Sequence, residues 1–378
     1  MASTVTSVVT SHNDSNVTNV TGQASSTWQE GDLFTWHGAE LILLPSMMLL
    51  GIMGNLLVFY IYHFRWRSNT VTLFKRMLAV LDLANLLLAM PSLLYITIHP
   101  RSSTFMANCV FTSFVALSTA CASGCVLVII ATDRFMKLCL LRKTGVGVLL
   151  SKKLFAASVV GSGLMNIPCG WIFGRDTVSF YNYNVKVSYC FIHSDSKQGG
   201  VFVAYASMLG VVFLTVSVSL FVLYVKVVRS LQALSEKHEE LKRRPSLAGG
   251  CETIKRQKQT KLMRKSAVVF IVITVVFFAS YAPYFVTMII SMVAETVEGS
   301  FSPLAKSFYD LAKLSPLANN VANPFIYSFT SDHFREEVKN IFTFKSCKKG
   351  FFSRRNFSFR KSSTDRSRET SQDSREED

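Results

Sequence analysis

Residues 105–132 read FMANCVFTSFVALSTACASGCVLVIIAT, a stretch without one charged side chain, and the pair Asp133-Arg134 follows directly. A helix rises about 1.5 Å per residue, so about 20 apolar residues cross the roughly 30 Å of hydrocarbon in a bilayer. The stretch predicts a membrane-spanning helix that ends at two charged residues of opposite sign. Six further segments read the same way: Leu41 to Tyr62, Met77 to Ile98 with Asp82 as its one charge, Leu154 to Gly174, Val201 to Val225, Ala267 to Val293, and Phe301 to Phe329. The last carries Lys306, Asp310 and Lys313. One such run could be a buried helix of a soluble protein, but seven in one chain predict an all-α, seven-helix membrane bundle.

Composition agrees. Only 17% of the 378 residues are charged, against roughly 25% in soluble domains, and the mean hydropathy is +0.31. The net charge of +16 has two readings, a nucleic-acid binder or a membrane protein with basic loops on one side. The first 64 residues hold no Lys or Arg. With the amino terminus outside, the outer segments hold Arg101, Arg175, Lys186, Lys197, Lys306 and Lys313, and the other 34 of the 40 basic residues lie inside. The basicity is then a mark of topology, and no nucleic-acid partner is expected. The chain divides into an outer tail 1–37, the bundle 38–330, an amphipathic helix 331–345, and a Ser/Arg/Glu-rich tail 346–378 that reads as disordered.

Loops and tails carry modification signals. Asn13, Asn16 and Asn19 open three consecutive N-glycosylation sequons. No charged start followed by an apolar core precedes them, so no cleavable signal peptide is expected. Cys109 and Cys190 both face the oxidising side, where a disulfide is the natural pairing. Residues 185–191 alternate as a strand, which predicts a short hairpin lid. Cys121, Cys125, Cys139 and Cys169 read as small packing residues. Cys347, in Lys-Ser-Cys-Lys-Lys, suits palmitoylation beside a basic patch, or is a free thiol. Ser246, and the tail residues Ser362, Ser363, Thr364, Ser367, Thr370, Ser371 and Ser374, suit kinases, and a phosphorylated tail would suit arrestin.

The polar residues inside the segments form a set: Gly54-Asn55, Asp82, Asp133-Arg134-Phe135 with Arg134 25 residues after Cys109, Tyr224, Phe277, Tyr281-Ala282-Pro283-Tyr284, Asn319-Asn320, and Asn323-Pro324-Phe325-Ile326-Tyr327. In this set the chain resembles the rhodopsin-like (class A) G-protein-coupled receptors over about residues 38–345. The resemblance implies a plasma-membrane receptor, amino terminus outside, whose sixth helix kinks at Pro283 and swings out to admit a Gα helix. In the resting state Arg134 pairs with Asp133, and in the active state it meets Tyr224 and Tyr327. The basic inner ends would also suit anionic lipid. Asp82, Ser123, Asn319 and Asn323, with Asn55 nearby, imply the family's sodium pocket; a plain hydrogen-bond cluster is the alternative. No other cofactor is expected.

Departures from the family pattern are informative. The fourth segment lacks its mid-helix tryptophan, the fifth-helix proline falls at Val216, the sixth-helix tryptophan is Tyr281, and the acid at the base of the sixth helix is Met263. Without that acid, a measurable basal activity is expected. The family's pocket would be walled by Ala116, Leu117, Ala120, Met208, Tyr281, Phe285, Met288, Tyr309 and Lys313. Ala116 stands where amine receptors need aspartate, and Leu317 where opsins need lysine, so neither an amine nor retinal is expected. Lys313 is either a counter-charge for an anionic ligand group or a snorkelling lysine. A neuropeptide is the favoured ligand, with a small lipid-like or carboxylated molecule as the alternative. A transporter would need more charge at mid-membrane or paired broken helices. An enzyme would need paired acids or a metal set, and neither is seen.

Overall fold

The structure, a computed structural model, describes residues 29–30, 33–66, 69–142, 145–183, 185–192, 200–243, 250–293 and 298–343. Asn13, Asn16, Asn19, Ser246, Cys347 and the tail serines and threonines lie outside them. Among the described residues six helices are long and apolar enough to cross a membrane: α1 (Leu33–Arg65), α2 (Thr70–Ile98), α3 (Phe105–Leu138), α4 (Val148–Ile172), and the apolar parts of α5 (Gly200–Arg243) and α6 (Gly250–Val293). The seventh segment is interrupted. α7 runs Pro303–Leu314 and Leu317–Thr330, broken at Ser315-Pro316, and α8 (Asp332–Phe342) follows.

Local chemistry sets these ends. The side chain of Asn69 accepts the backbone N–H of Thr72 at 2.9 Å while Thr72 Oγ1 accepts that of Asn69 at 3.0 Å, a reciprocal cap that starts α2. Ser302 caps α7 ahead of Pro303, and Ser331 caps α8. Phe173 and Gly174, expected in the fourth helix, instead open β2 (Phe173–Phe180), which pairs antiparallel with β3 (Val185–Ile192). The described segment Gln29–Glu30 adds β1 parallel to β3. The hairpin thus spans one end of the bundle, and Arg134 sits at the other.

The core runs down the middle of the bundle. Val58, Phe74, Val126, Ile130, Phe270 and Tyr327 are fully buried, whereas Leu49, Leu56, Val211, Leu214, Phe221 and Val275 are more than half exposed. That outward apolar surface suits lipid rather than water. Close helix approach depends on small residues. A Cβ at Gly54 would come within 2.6 Å of Pro324 Cγ, and one at Gly51 within 2.7 Å of Leu86 Cδ2. Overpacking of this kind costs about 1–3 kcal/mol. Gly54→Val is expected to lower the melting temperature and surface amount of the purified and expressed protein. Gly161→Ala, with nothing within 4 Å, is expected to leave both unchanged or slightly raised.

Candidate functional site: two cavities under a hairpin and an arginine-centred far end

At the hairpin end, a Cys109–Cys190 disulfide, Cα–Cα 5.4 Å, ties β3 to the start of α3. Tyr189 and Phe191, two residues apart on β3, can share a face. With Tyr309 of α7 they box the Lys313 ammonium, whose nitrogen lies 4.2, 4.5 and 4.3 Å from the three ring centres. Such contacts replace part of the hydration that a half-buried cation loses.

Two cavities lie beneath. The first, about 170 Å³, is bounded by α1, α2, α3, α6, α7 and the hairpin, with Glu40, Asn85, Ala116, Tyr281, Asp310 and Lys313 on its wall. Its charges are of both signs and are tethered. His37 Nδ1 lies 2.9 Å from Glu40, and the buried Lys306 pairs with Asp310 and donates to the carbonyl of Trp36 at 3.1 Å. Asn85 donates to Thr119 at 3.0 Å, while its own Oδ1 has no hydrogen-bond partner among the described residues. The second cavity, about 240 Å³, lies between α3, α5 and α6 and is nearly all apolar, with Gly124, Leu209, Phe213, Phe285 and Met288 on its wall. Leu117, Ala120 and Tyr281 border both.

Two of the expected pocket residues stand elsewhere. Met208 is exposed on the outer face of α5, and Leu209, one residue on, is the one that faces inward. A one-residue error on a helix turns a side chain by about 100°. Tyr309 borders neither cavity; its ring walls the lysine box and its hydroxyl donates to the Thr287 carbonyl at 3.2 Å.

A polar group that the sequence reading passed over lies beside the second cavity. Tyr205 donates to Asn166 Oδ1 at 2.6 Å, with Cys169 Sγ 3.3 Å from the same hydroxyl. Cys169, read from sequence as a packing residue, therefore has a polar neighbour. Mid-bundle, Asn323 donates to Asp82 at 2.7 Å, with Ser123 and Asn319 also buried. Asn55 does not meet Asp82. It donates to the carbonyls of Gly51 at 3.0 Å and Asn320 at 2.7 Å, and so fastens α1 to α7.

At the far end, Asp133 Oδ2 accepts from Arg134 at 2.6 Å and Lys137 at 3.0 Å, while Oδ1 accepts the N–H of Val146 at 3.1 Å. Arg134 also donates to the hydroxyl of Ser266 on α6 at 3.3 Å and lies 5.7 Å from the Phe270 ring centre. Tyr224 donates to the Phe270 carbonyl at 3.4 Å. Tyr327 faces Tyr62 and Phe334 instead, at 5.9 and 6.1 Å between ring centres. Phe135 packs with Leu138, Val227 and Ala267, and Phe277 sits 4.7 Å from Tyr281, two residues before Pro283. The side chain of Met263 lies outside the described residues. No cluster of three or more His, Cys, Asp or Glu suited to a metal occurs among the described residues.

Comparison with known proteins places this architecture. The family described as "7 transmembrane receptor (rhodopsin family)" matches residues 54–327, and the chain belongs to that family: it is a multi-pass membrane receptor, not an enzyme. Squid rhodopsin shares the fold, with a TM-score of 0.68 and 19% identity over 84% of this chain and 88% of that one. No curated protein matches by sequence. The Tyr205→Phe change leaves the buried Asn166 Oδ1 without its donor, a loss of about 1–3 kcal/mol. A thermal melt of the purified receptor is expected to shift down by several degrees, whereas Met208→Ala, on the exposed face, is expected to leave it in place.

Proposed function

We propose that the chain is a plasma-membrane receptor for a peptide, amino terminus outside, that activates a heterotrimeric G protein when the end of α6 near Arg134 moves out. The observation that carries the ligand class is the first cavity. A peptide end brings groups of both signs, and Glu40, Asp310 and Lys313 offer both within one wall. The alternative, a lipid-like carboxylate, is supported by the apolar second cavity. Against it, Lys313 already has three aromatic faces and two carboxylates on the same wall, which would repel a lone anion.

Arg134 supports the coupling step. Its hydrogen bond to Ser266 crosses from α3 to α6, and among the described residues no acid of α6 pairs with it, so outward movement of α6 breaks a weaker contact than an ion pair, and a basal signal follows. The freed groove, flanked by the exposed Arg264 and Lys265, would take an amphipathic helix of a Gα subunit. We also propose that a sodium ion modulates the resting form. The oxygen set of Asp82, Ser123 and Asn323, whose Oδ1 is buried and lacks a partner among the described residues, fits a hard cation. When bound, the ion would supply positive charge beside Asp82. Kinases and arrestin would act through the tail beyond Cys347, glycans would sit at Asn13, Asn16 and Asn19, and a palmitoyl chain at Cys347.

Cells expressing the receptor, exposed to fractionated peptide and fatty-acid libraries, test the ligand class by nucleotide exchange on Gα. A peptide is expected to activate, and Lys313→Ala to raise the concentration needed by roughly tenfold to a hundredfold, as for loss of a charged hydrogen bond. Activation by fatty acids alone would overturn the peptide reading. Sodium is tested without a ligand. Replacing potassium chloride by sodium chloride is expected to raise the melting temperature of the wild type and not of Asp82→Asn; equal shifts in both would overturn the sodium site.

A further inference from the structure

Lys75 of α2 is 6% exposed, its ammonium enclosed by protein. Burial of an ammonium group is costly unless other groups replace its hydration. Here Lys75 Nζ donates to Tyr62 Oη at 2.8 Å and stands 4.3 Å from the ring centre of Tyr62 and 4.7 Å from that of Tyr327. Tyr62 and Tyr327 are fully buried, and Phe334 of α8 closes the group, 6.0 Å from Tyr62 and 6.1 Å from Tyr327 between ring centres. The ion pairs among the described residues include none to Lys75. The lysine therefore depends on one hydroxyl and two aromatic faces.

Tyr327 is held in an unusual way. Its hydroxyl is buried and has no hydrogen-bond partner among the described residues. The ring is retained by its faces and edges, and Lys75 supplies a charged contact to one of those faces. If Tyr327 turns toward the centre of the bundle, Lys75 loses one of its two rings while staying buried. That penalty falls only on the turned state, so it biases the two-state balance toward the form described above.

We propose that Lys75 is a positioning residue: a buried ammonium that holds Tyr327 against α1 and α8 and thereby keeps the Arg134 end closed. The proposal rests on the G-protein reading of that end. The test measures basal G-protein dissociation, without ligand, across a panel of Gα subunits in cells with matched surface receptor. Lys75→Met keeps an unbranched apolar stem one atom shorter and removes the charge; it is expected to raise the basal signal roughly threefold or more, the lower end of the scale of one cation–π contact. Tyr62→Phe, which keeps every carbon atom and removes the acceptor, is expected to give a smaller rise. Lys75→Arg restores a cation that can stack on both rings and is expected to stay near wild type. Asp133→Asn, which breaks the pair with Arg134, is the control that the assay reports this end.

A silent Lys75→Met beside a responsive Asp133→Asn overturns the proposal. So does a Lys75→Arg that signals as strongly as Lys75→Met, because a packing role alone would then suffice. If Asp133→Asn is silent too, the G-protein reading fails and takes the proposal with it. Should Lys75→Met not reach the surface, Tyr62→Phe decides: a basal signal equal to wild type overturns the proposal, and a rise supports it.

Discussion

An arginine buried in a bundle surrounded by lipid must find its partners inside the protein, and Arg134 organises this end of the receptor through that constraint. The residue is 2% exposed. The neighbouring Asp133 takes one edge, the Ser266 hydroxyl on α6 takes another, and the face lies near Phe270. Asp133 is itself fixed by Lys137 and by the backbone of Val146. Breaking a buried pair by removing one partner is strongly destabilising, at about 3–5 kcal/mol. The helices that supply these groups are therefore held at fixed distances, with the weakest link, a neutral hydroxyl, at the contact to α6.

The hairpin end depends on a different balance. The disulfide and the β2–β3 ladder fix Tyr189 and Phe191 over Lys313, while Lys306 joins the end of α7 to the backbone of α1 through Trp36. Charged groups of α1 and α7 are thereby concentrated on one wall. From the second cavity an aromatic run continues toward the centre: Phe285 to Phe213 at 4.4 Å, Phe213 to Phe278 at 5.5 Å, and Tyr281 to Phe277 at 4.7 Å. Pro283 lies within that run on α6. A ligand that displaces Tyr281, which borders both cavities, acts on the same helix that Ser266 holds at the far end.

Much of the fold was legible because the bilayer imposes it: apolar runs of the required length locate six helices among the described residues. Several expected neighbours, such as Asp82 with Asn323 and Asp133 with Arg134, do meet. Direction around a helix was less legible, as Met208 and Leu209 illustrate. Partners that depend on two elements being in register were not legible. Nothing in the sequence distinguishes Lys75 from the other basic residues of the inner side, yet Tyr62 and Tyr327 enclose it. The pairing of Lys306 with Asp310 one turn on, and of Tyr205 with Asn166, needed the packed helices to be seen. So did the break in α7 at Ser315-Pro316, since Pro283 in α6 and Pro324, later in α7, do not interrupt the helical runs that contain them.

The central claim is that the contact between α3 and α6 at Arg134 opens when a G protein binds. Spin labels at Leu140→Cys and Arg264→Cys, two exposed positions on either side of that contact, report its width by pulsed electron resonance in lipid nanodiscs. A nucleotide-free G protein is predicted to shift the distance distribution to a longer separation that GTP reverses. Formation of the complex with an unchanged distribution, or no complex with any Gα subunit, would contradict the account.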